Sequence, residues 1–270
     1  MSDDVDKVIE IRDSTGRLCG TYHYEDPFKS FFRGLYTPSG VNVVASPPPE
    51  HPHHKGLQFG LTCRDVNFWE ESLAAEPGDC QLPIGVQQTT QLLRLDPTQG
   101  NGFLQEIQWR QGQTITFQET RIVSVKEVFV SGALKAYAWN WRTRLTAKRN
   151  VTIISSVWGE NGNCGRSLGY CGLGLRLIRD VFQSAHVEPH DAKSGDKLTS
   201  VSYIGQYLGK PVTVTFGQDP LQRSVFFLSF YGGNPDFAFM ALGPTNSPPP
   251  LPLGAGETRE WKYDVTVADS

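Results

Sequence analysis

The sequence has no basic block, no C-x-x-C pair, no apolar run near the ~20 residues of a membrane-spanning helix, and no long stretch of apolar residues at helical spacing. Each absence removes a class. Lys plus Arg number 25 against 28 Asp plus Glu, a net charge of −3, which argues against a nucleic-acid partner or a membrane surface held by positive charge. The five cysteines (Cys19, Cys63, Cys80, Cys164, Cys171) are odd in number. They read as reduced, mostly buried thiols rather than a disulfide framework or a zinc ribbon. The opening Met1–Lys7 is acidic and has no apolar stretch, so no secretory signal and a cytoplasmic location are expected. No lysine follows a glycine run, which leaves no phosphate-binding loop.

What is present is strand pattern. Thr114–Gln118, Trp139–Leu145 and Pro211–Phe216 alternate in character. Near the C-terminus Trp261, Tyr263, Val265 and Val267 fall on one face, Lys262, Asp264 and Thr266 on the other. A period of two means one buried and one wet face, the mark of antiparallel sheet. Turn pairs separate the runs: Asn101-Gly102, Gln111-Gly112, Ser131-Gly132, Asn161-Gly162 and Gly232-Gly233. One short helix is expected around Asn67–Ala75, with Asp65 as its N-cap. No repeat or linker breaks the chain, so residues 1–270 are expected to form a single large antiparallel β-sandwich, all-β with little helix: over ~40% strand and under ~10% helix.

Two motifs point elsewhere and fail on context. Gly165-Arg166-Ser167-Leu168-Gly169 matches a nucleophile elbow, but lacks the preceding hydrophobic strand and the following helix. Gly172-Leu173-Gly174 resembles a dinucleotide-loop fragment, yet Leu175, Leu177 and Ile178 continue it as a strand.

Five of the six histidines fall in two clusters, Glu50-His51-Pro52-His53-His54-Lys55-Gly56 and His186-Val187-Glu188-Pro189-His190. The prolines hold both segments extended or turned. Imidazole gives and takes protons near neutral pH, so the first cluster can supply a general base, a general acid and an oxyanion donor. His51 and His53 share a side, as do His186, Glu188 and His190, so these five could together hold a divalent metal, although nothing in the sequence requires a cofactor. Glu119 shares a strand face with Phe117 and is either a partner base or a structural ion pair of Arg121. Arg33 could grip vicinal oxygens or make a structural ion pair. Tyr36 could stack on a ligand or donate a proton, and Lys55 stands beside the histidines. Trp69 offers an aromatic platform beside Glu70, with core packing as the ordinary alternative.

Arg33-Gly34-Leu35-Tyr36-Thr37-Pro38-Ser39-Gly40 and Pro48-Pro49-Glu50-His51-Pro52-His53-His54-Lys55-Gly56-Leu57 resemble the family called "methane oxygenase PmoA-like", whose run reads P-L-Y-T-P-S-G, then P-x-D-H-P-H-H-R-G-L. Weaker matches extend to Glu119-Thr120-Arg121, Gly172–Arg176 and Tyr203–Asp219. Glu50 replaces Asp, Lys55 replaces Arg, Gln58 stands where an aromatic is common, and a histidine near Ile84–Gln88 is missing. The resemblance implies a galactose-mutarotase-like supersandwich and carbohydrate chemistry. A chain without a membrane span does not suit the family's label.

The expected function is acid–base chemistry (isomerisation, β-elimination or glycoside cleavage) on a sugar-like or polyoxygenated small molecule. His51, His53, His54 and Glu119 would be catalytic, and Arg33, Tyr36, Lys55 and Trp69 would contact substrate. The alternatives are a cyclase or isomerase on a nonpolar molecule, or a non-catalytic carbohydrate-binding sandwich. A binding module has no need of three clustered histidines. As loop residues, His53 and His54 are expected to be replaceable with little loss of stability.

Overall fold

The computed structural model describes residues 7–269 except 48, 50, 72–81, 97–99, 156–169, 223, 234–235 and 247–248. Of the described residues 59% are strand and 2% helix, so the all-β expectation holds. The chain forms an antiparallel sandwich of two large sheets. A seven-stranded sheet runs β1 (Val8–Arg12), β2 (Leu18–His23), β3 (Phe31–Leu35), β4 (Leu57–Gly60), β11 (Gly172–Arg176), β16 (Phe239–Gly243) and β15 (Val225–Ser229). An eight-stranded sheet runs β12 (His186–Glu188), β13 (Ser200–Tyr207), β14 (Lys210–Gln218), β18 (Thr258–Asp269), β9 (Ala133–Ala147), β8 (Thr114–Val130), β7 (Asn101–Gln111) and β6 (Val86–Arg94). A small sheet joins β17 (Leu251–Leu253), β10 (Val151–Ile154) and β5 (Thr62–Cys63). Among the described residues no helix is long and apolar enough to cross a membrane.

Period-two burial decides which face meets which. Directly paired residues of antiparallel strands point to the same side. In the seven-stranded sheet one face carries Phe32, Leu57, Leu175, Met240 and Leu228, with Phe59, Leu173, Leu242 and Phe226 on the next row. That face meets the other sheet: Phe32 lies 5.0 Å from Trp139, Phe59 lies 5.8 Å from Trp109, and Phe226 lies 6.3 Å from Phe216, ring centre to ring centre. The eight-stranded sheet supplies the expected Trp261, Tyr263, Val265 and Val267, all buried, while Lys262 and Asp264 face outward.

The opposite face of the seven-stranded sheet carries Phe31, Gln58, Gly174, Ala241 and Phe227, then Arg176 and Phe239. β4, β11 and β16 are buried on both faces. Something covers their outside, and it includes the first histidine loop.

Some local expectations fail. Asn101-Gly102 lies within β7 rather than in a turn, because Gly102 passes so close to β8 that a Cβ there would sit 2.0 Å from the Val123 carbonyl oxygen. Ser131-Gly132 does turn the β8–β9 hairpin, with φ of 49° and 79°. No helix forms over Asn67–Glu71, since the Asn67 side-chain oxygen accepts from the Trp69 and Glu70 amides at 2.8 and 3.1 Å, closing a turn that competes with helix. Among the described residues the helix present is the single turn α1 (Arg179–Phe182). Cys19, Cys63 and Cys171 are free and buried. Cys80, Cys164, the Gly165–Gly169 motif and Asn161-Gly162 lie outside the described residues.

Glu119 points inward as its alternation with Phe117 requires, and its oxygens are fully engaged. They accept from Trp109 Nε1 at 2.7 Å, from Arg121 at 2.8 and 2.9 Å, and from Thr143 at 3.1 Å. Arg121 also donates to Tyr22 and Gln87 and lies over Trp141. Glu119 is therefore the structural partner of Arg121, and a carboxylate so occupied is not available as a base for the histidines. Removing one member of a fully buried pair strands the other, which costs about 3–5 kcal/mol. Glu119→Ala is expected to lower the melting temperature by about 10 °C, whereas Glu119→Met with Arg121→Leu recovers most of that loss; thermal denaturation of both variants checks this.

Candidate functional site

The histidine loop lies on the outer face of β4, β11 and β16, and the strands beneath it hold it in place. Buried Gln58 grips it from both ends: its Oε1 accepts from the Lys55 amide at 3.1 Å, and its Nε2 donates to the His53 carbonyl. Gly56 closes the loop at φ +51°, where a Cβ would lie 2.0 Å from the Phe32 carbonyl oxygen. Gln58 therefore earns its place where the resembled family often carries an aromatic.

His54 is fully buried and His53 is 5% exposed. As loop residues both are expected to be replaceable at little cost, and their burial argues against that. His54 stacks on Phe239 at 4.6 Å, edges Phe237 and Tyr170, and contacts His53 at 4.3 Å between ring centres. Half-buried His51 stacks on His54 at 5.0 Å. The three rings offer ligand nitrogens within 4.8 Å of one another, and among the described residues they are the one group of three such side chains close enough to share an ion.

Each buried imidazole is fixed through Nδ1. His53 Nδ1 lies 2.8 Å from Glu70 Oε2. His54 Nδ1 lies 3.0 Å from a guanidinium nitrogen of Arg176, itself stacked 4.1 Å over Phe237. The Nε2 atoms of His53 and His54 are buried without a hydrogen-bond partner, as are Glu70 Oε1 and Trp69 Nε1. Buried polar atoms are nearly always paired, so a cluster of unpaired ones signals a place for something else to bind. Burial, with His53, Arg176, His51 and Lys29 nearby, holds His54 well below the usual imidazole range. Burial and the Glu70 carboxylate push the Tyr170 phenol well up.

Trp69 joins this site as a wall, fully buried, edge-on to Tyr170 and Phe239. Gly174 leaves the room for it, since a Cβ there would lie 2.7 Å from the indole. Lys55 is committed elsewhere: its ammonium lies 2.6 Å from Asp26 and 2.9 Å from Glu71, over Phe31 and Phe28. Glu71 also lies 3.1 Å from Lys29. Arg33 and Tyr36 line a separate depression of about 340 Å³ with Val8, Thr21, His23, Asn42 and Ser46, toward the β1–β3 end of the same sheet. The second histidine cluster is not at this site. His186 and Glu188, 60% and 64% exposed and 4.0 Å apart, lie on β12 at the edge of the eight-stranded sheet, and His190 is exposed nearby. The mixed metal set of His51, His53, His186, Glu188 and His190 is thereby excluded as one centre.

A model of a family of unknown function, DUF6807, matches residues 12–270. The chain belongs to that family. No curated protein matches it. Among solved structures, the DUF6807 chain is similar over its whole length to the GH36 α-galactosidase AgaB from Geobacillus stearothermophilus, at 10% identity and a TM-score of 0.47, covering 41% of that chain. It is similar also to the galactosidase domain of the α-galactosidase–sucrose kinase AgaSK, at 11% identity, a TM-score of 0.42 and 41% of that chain. A polysaccharide lyase aligns at 11% identity and a TM-score of 0.34, over 33% of its chain. The DUF6807 chain thus spans about two fifths or less of the length of these structures, and likenesses this distant say nothing of its activity.

Sequence reasoning alone missed two residues of the DUF6807 site. Glu70 was noted only as the neighbour of Trp69, and Arg176 only as the end of a weakly matching strand. An imidazole that stays neutral when folded makes stability fall with acid. The folded pKa of His54 lies below its unfolded value, so its contribution is present above about pH 6.5 and is lost as pH falls through that value. Between pH 7.5 and 5.5 the chain is expected to lose stability through His54, the loss growing toward the lower pH. Urea denaturation at the two pH values, compared with His54→Gln, isolates this loss.

Proposed function

We propose that this chain is an enzyme that abstracts a proton from a sugar-like or polyoxygenated small molecule, with His53 as the base. One observation carries the reading: His53 presents a buried, unpartnered Nε2 while Glu70 holds its Nδ1. A carboxylate behind an imidazole fixes its orientation and stabilises the imidazolium formed when the ring takes a proton. The resemblance of residues 33–60 to the PmoA-like family adds the carbohydrate context and the mutarotase-like form of the sandwich.

The reaction class is proton abstraction next to a carbonyl. The C–H electron pair moves toward the carbonyl oxygen as the proton passes to His53 Nε2. Return of that proton to the neighbouring carbon, with the hydroxyl proton passing to the former carbonyl oxygen, gives isomerisation; departure of a β-substituent with its bonding pair as the carbonyl re-forms gives elimination. Trp69, Phe239 and Tyr170 would pack against the apolar face of a sugar ring. No nucleic-acid or membrane partner is part of the proposal, and the free thiols suit a reducing cytoplasm.

The test is solvent exchange. The protein is incubated in deuterium oxide with a panel of aldoses, ketoses and their oxidised derivatives, and loss of C–H signal is followed by proton NMR. At least one compound is expected to exchange, and His53→Gln is expected to slow that exchange by about 10²-fold or more. A substrate turned over equally well by His53→Gln would remove His53 as the base.

A further inference from the structure

We infer that Arg176 is a positioning residue that fixes His54 as a hydrogen-bond donor through Nε2, so that the site is an acceptor–donor imidazole pair for one substrate oxygen and not a three-histidine metal centre. The inference rests on the same site as the proposed function and names the role of its second histidine.

The argument uses hydrogen-bond inventory. A guanidinium has only donors. With Arg176 3.0 Å from His54 Nδ1, that nitrogen must accept, and a neutral ring that accepts at Nδ1 carries its proton on Nε2. His54 Nε2–H is buried and unpartnered. His53 is the reverse case: the Glu70 carboxylate, 2.8 Å from Nδ1, can only accept and so favours the proton on that nitrogen, which leaves the Nε2 lone pair facing the site. The two neighbouring rings, 4.3 Å apart, thus present opposite faces of the hydrogen bond. Together they complement a hydroxyl, which donates to His53 and accepts from His54, or a carbonyl that His54 polarises while His53 takes the adjacent proton.

The same inventory tests the metal. A histidine ligand offers a lone pair at the metal and usually gives its other N–H to a carboxylate or carbonyl. His53 with Glu70 fits that arrangement. His54 does not: its outer nitrogen faces a cation, and its inner nitrogen bears the proton. The spacing of the three rings permits an ion, but the residue behind His54 does not suit one. The ligand class this pair selects is a neutral hydroxyl- or carbonyl-bearing molecule.

The experiment reads tautomers directly. Two-bond nitrogen–proton correlation NMR of the full chain at pH 7.5 is assigned with His51→Gln, His53→Gln and His54→Gln. His53 is expected as Nδ1–H and His54 as Nε2–H, each favoured by about tenfold or more, the scale of one hydrogen bond to a charged group. Arg176→Gln supplies an amide oxygen that can accept, so the His54 proton is expected to redistribute toward Nδ1. Arg176→Lys keeps a pure donor and is expected to retain Nε2–H. One equivalent of zinc chloride is expected to leave the His53 and His54 nitrogen signals of the wild type unmoved. Finding His54 protonated at Nδ1 in the wild type, or zinc held stoichiometrically with both signals shifted, overturns the inference. An unchanged tautomer in Arg176→Gln removes Arg176 as its cause. If the Gln variant does not fold, the wild-type tautomer and zinc readings still decide. None of these readings needs a substrate, so they stand apart from the exchange test of His53.

Discussion

A loop laid on the outside of a β-sheet brings buried backbone groups with it, and Gln58 is what satisfies them here. Its amide accepts from the Lys55 N–H and donates to the His53 carbonyl, so one side chain rising from β4 holds both ends of the His53–Lys55 segment. Leaving such groups unpaired would cost on the order of 1–3 kcal/mol each. Asn67 does the same for the other side of the site, where its oxygen turns the chain so that Trp69 and Glu70 arrive beside the histidines. Two neutral amides therefore hold the backbone of the candidate site, and Glu70 and Arg176 then fix its two buried rings.

The two sides of the seven-stranded sheet show how charged groups divide between structure and chemistry. In the core between the sheets the charged groups are answered, although Trp139 Nε1 and the Tyr263 hydroxyl there have no partner. Glu119, Arg121 and Tyr22 form a closed network in which each charged group finds several partners. On the outer face the Nε2 atoms of His53 and His54, Glu70 Oε1 and Trp69 Nε1 have none. Both sets are buried to a similar degree, so burial does not separate them; the pairing does. A network that satisfies itself specifies the fold, and a group of donors and acceptors left open together is what a ligand would complete.

Much of the fold was legible because period-two alternation is a local signal. The faces read for Trp139–Leu145 and Trp261–Val267 fall within β9 and β18 with the expected sides inward, while in Thr114–Gln118 of β8 a bulge opposite Trp109 and Arg110 breaks the alternation and buries Thr116 beside Phe117. The histidine loop was legible as a cluster because its members are neighbours in sequence. The helix around Asn67 was misread because one side-chain oxygen competed for the amides that a helix would need. Glu119 was ambiguous because its partner, Arg121, is two residues along the same strand and a single sequence does not show whether they meet. Arg176 was hidden for a different reason. Its contact with His54 spans 122 positions, and nothing local distinguishes it from any other strand arginine.

Charge placement completes the case for imidazole as the mobile-proton group. The ammonium groups nearest the loop are committed: Lys55 to Asp26 and Glu71, Lys29 to Glu71 and the Trp69 carbonyl. Burial pulls the Lys29 pKa down, while Glu71 opposes that shift. A lysine tied to a carboxylate in low dielectric is a poor proton shuttle, since losing its proton would strand the carboxylate. Tyr170 is held in its protonated form by burial. Of the two buried imidazoles, His53 has the Glu70 carboxylate behind Nδ1, while His54 has the Arg176 guanidinium there. The two chemically identical neighbours are thus given opposite partners at Nδ1, a carboxylate behind one and a guanidinium behind the other.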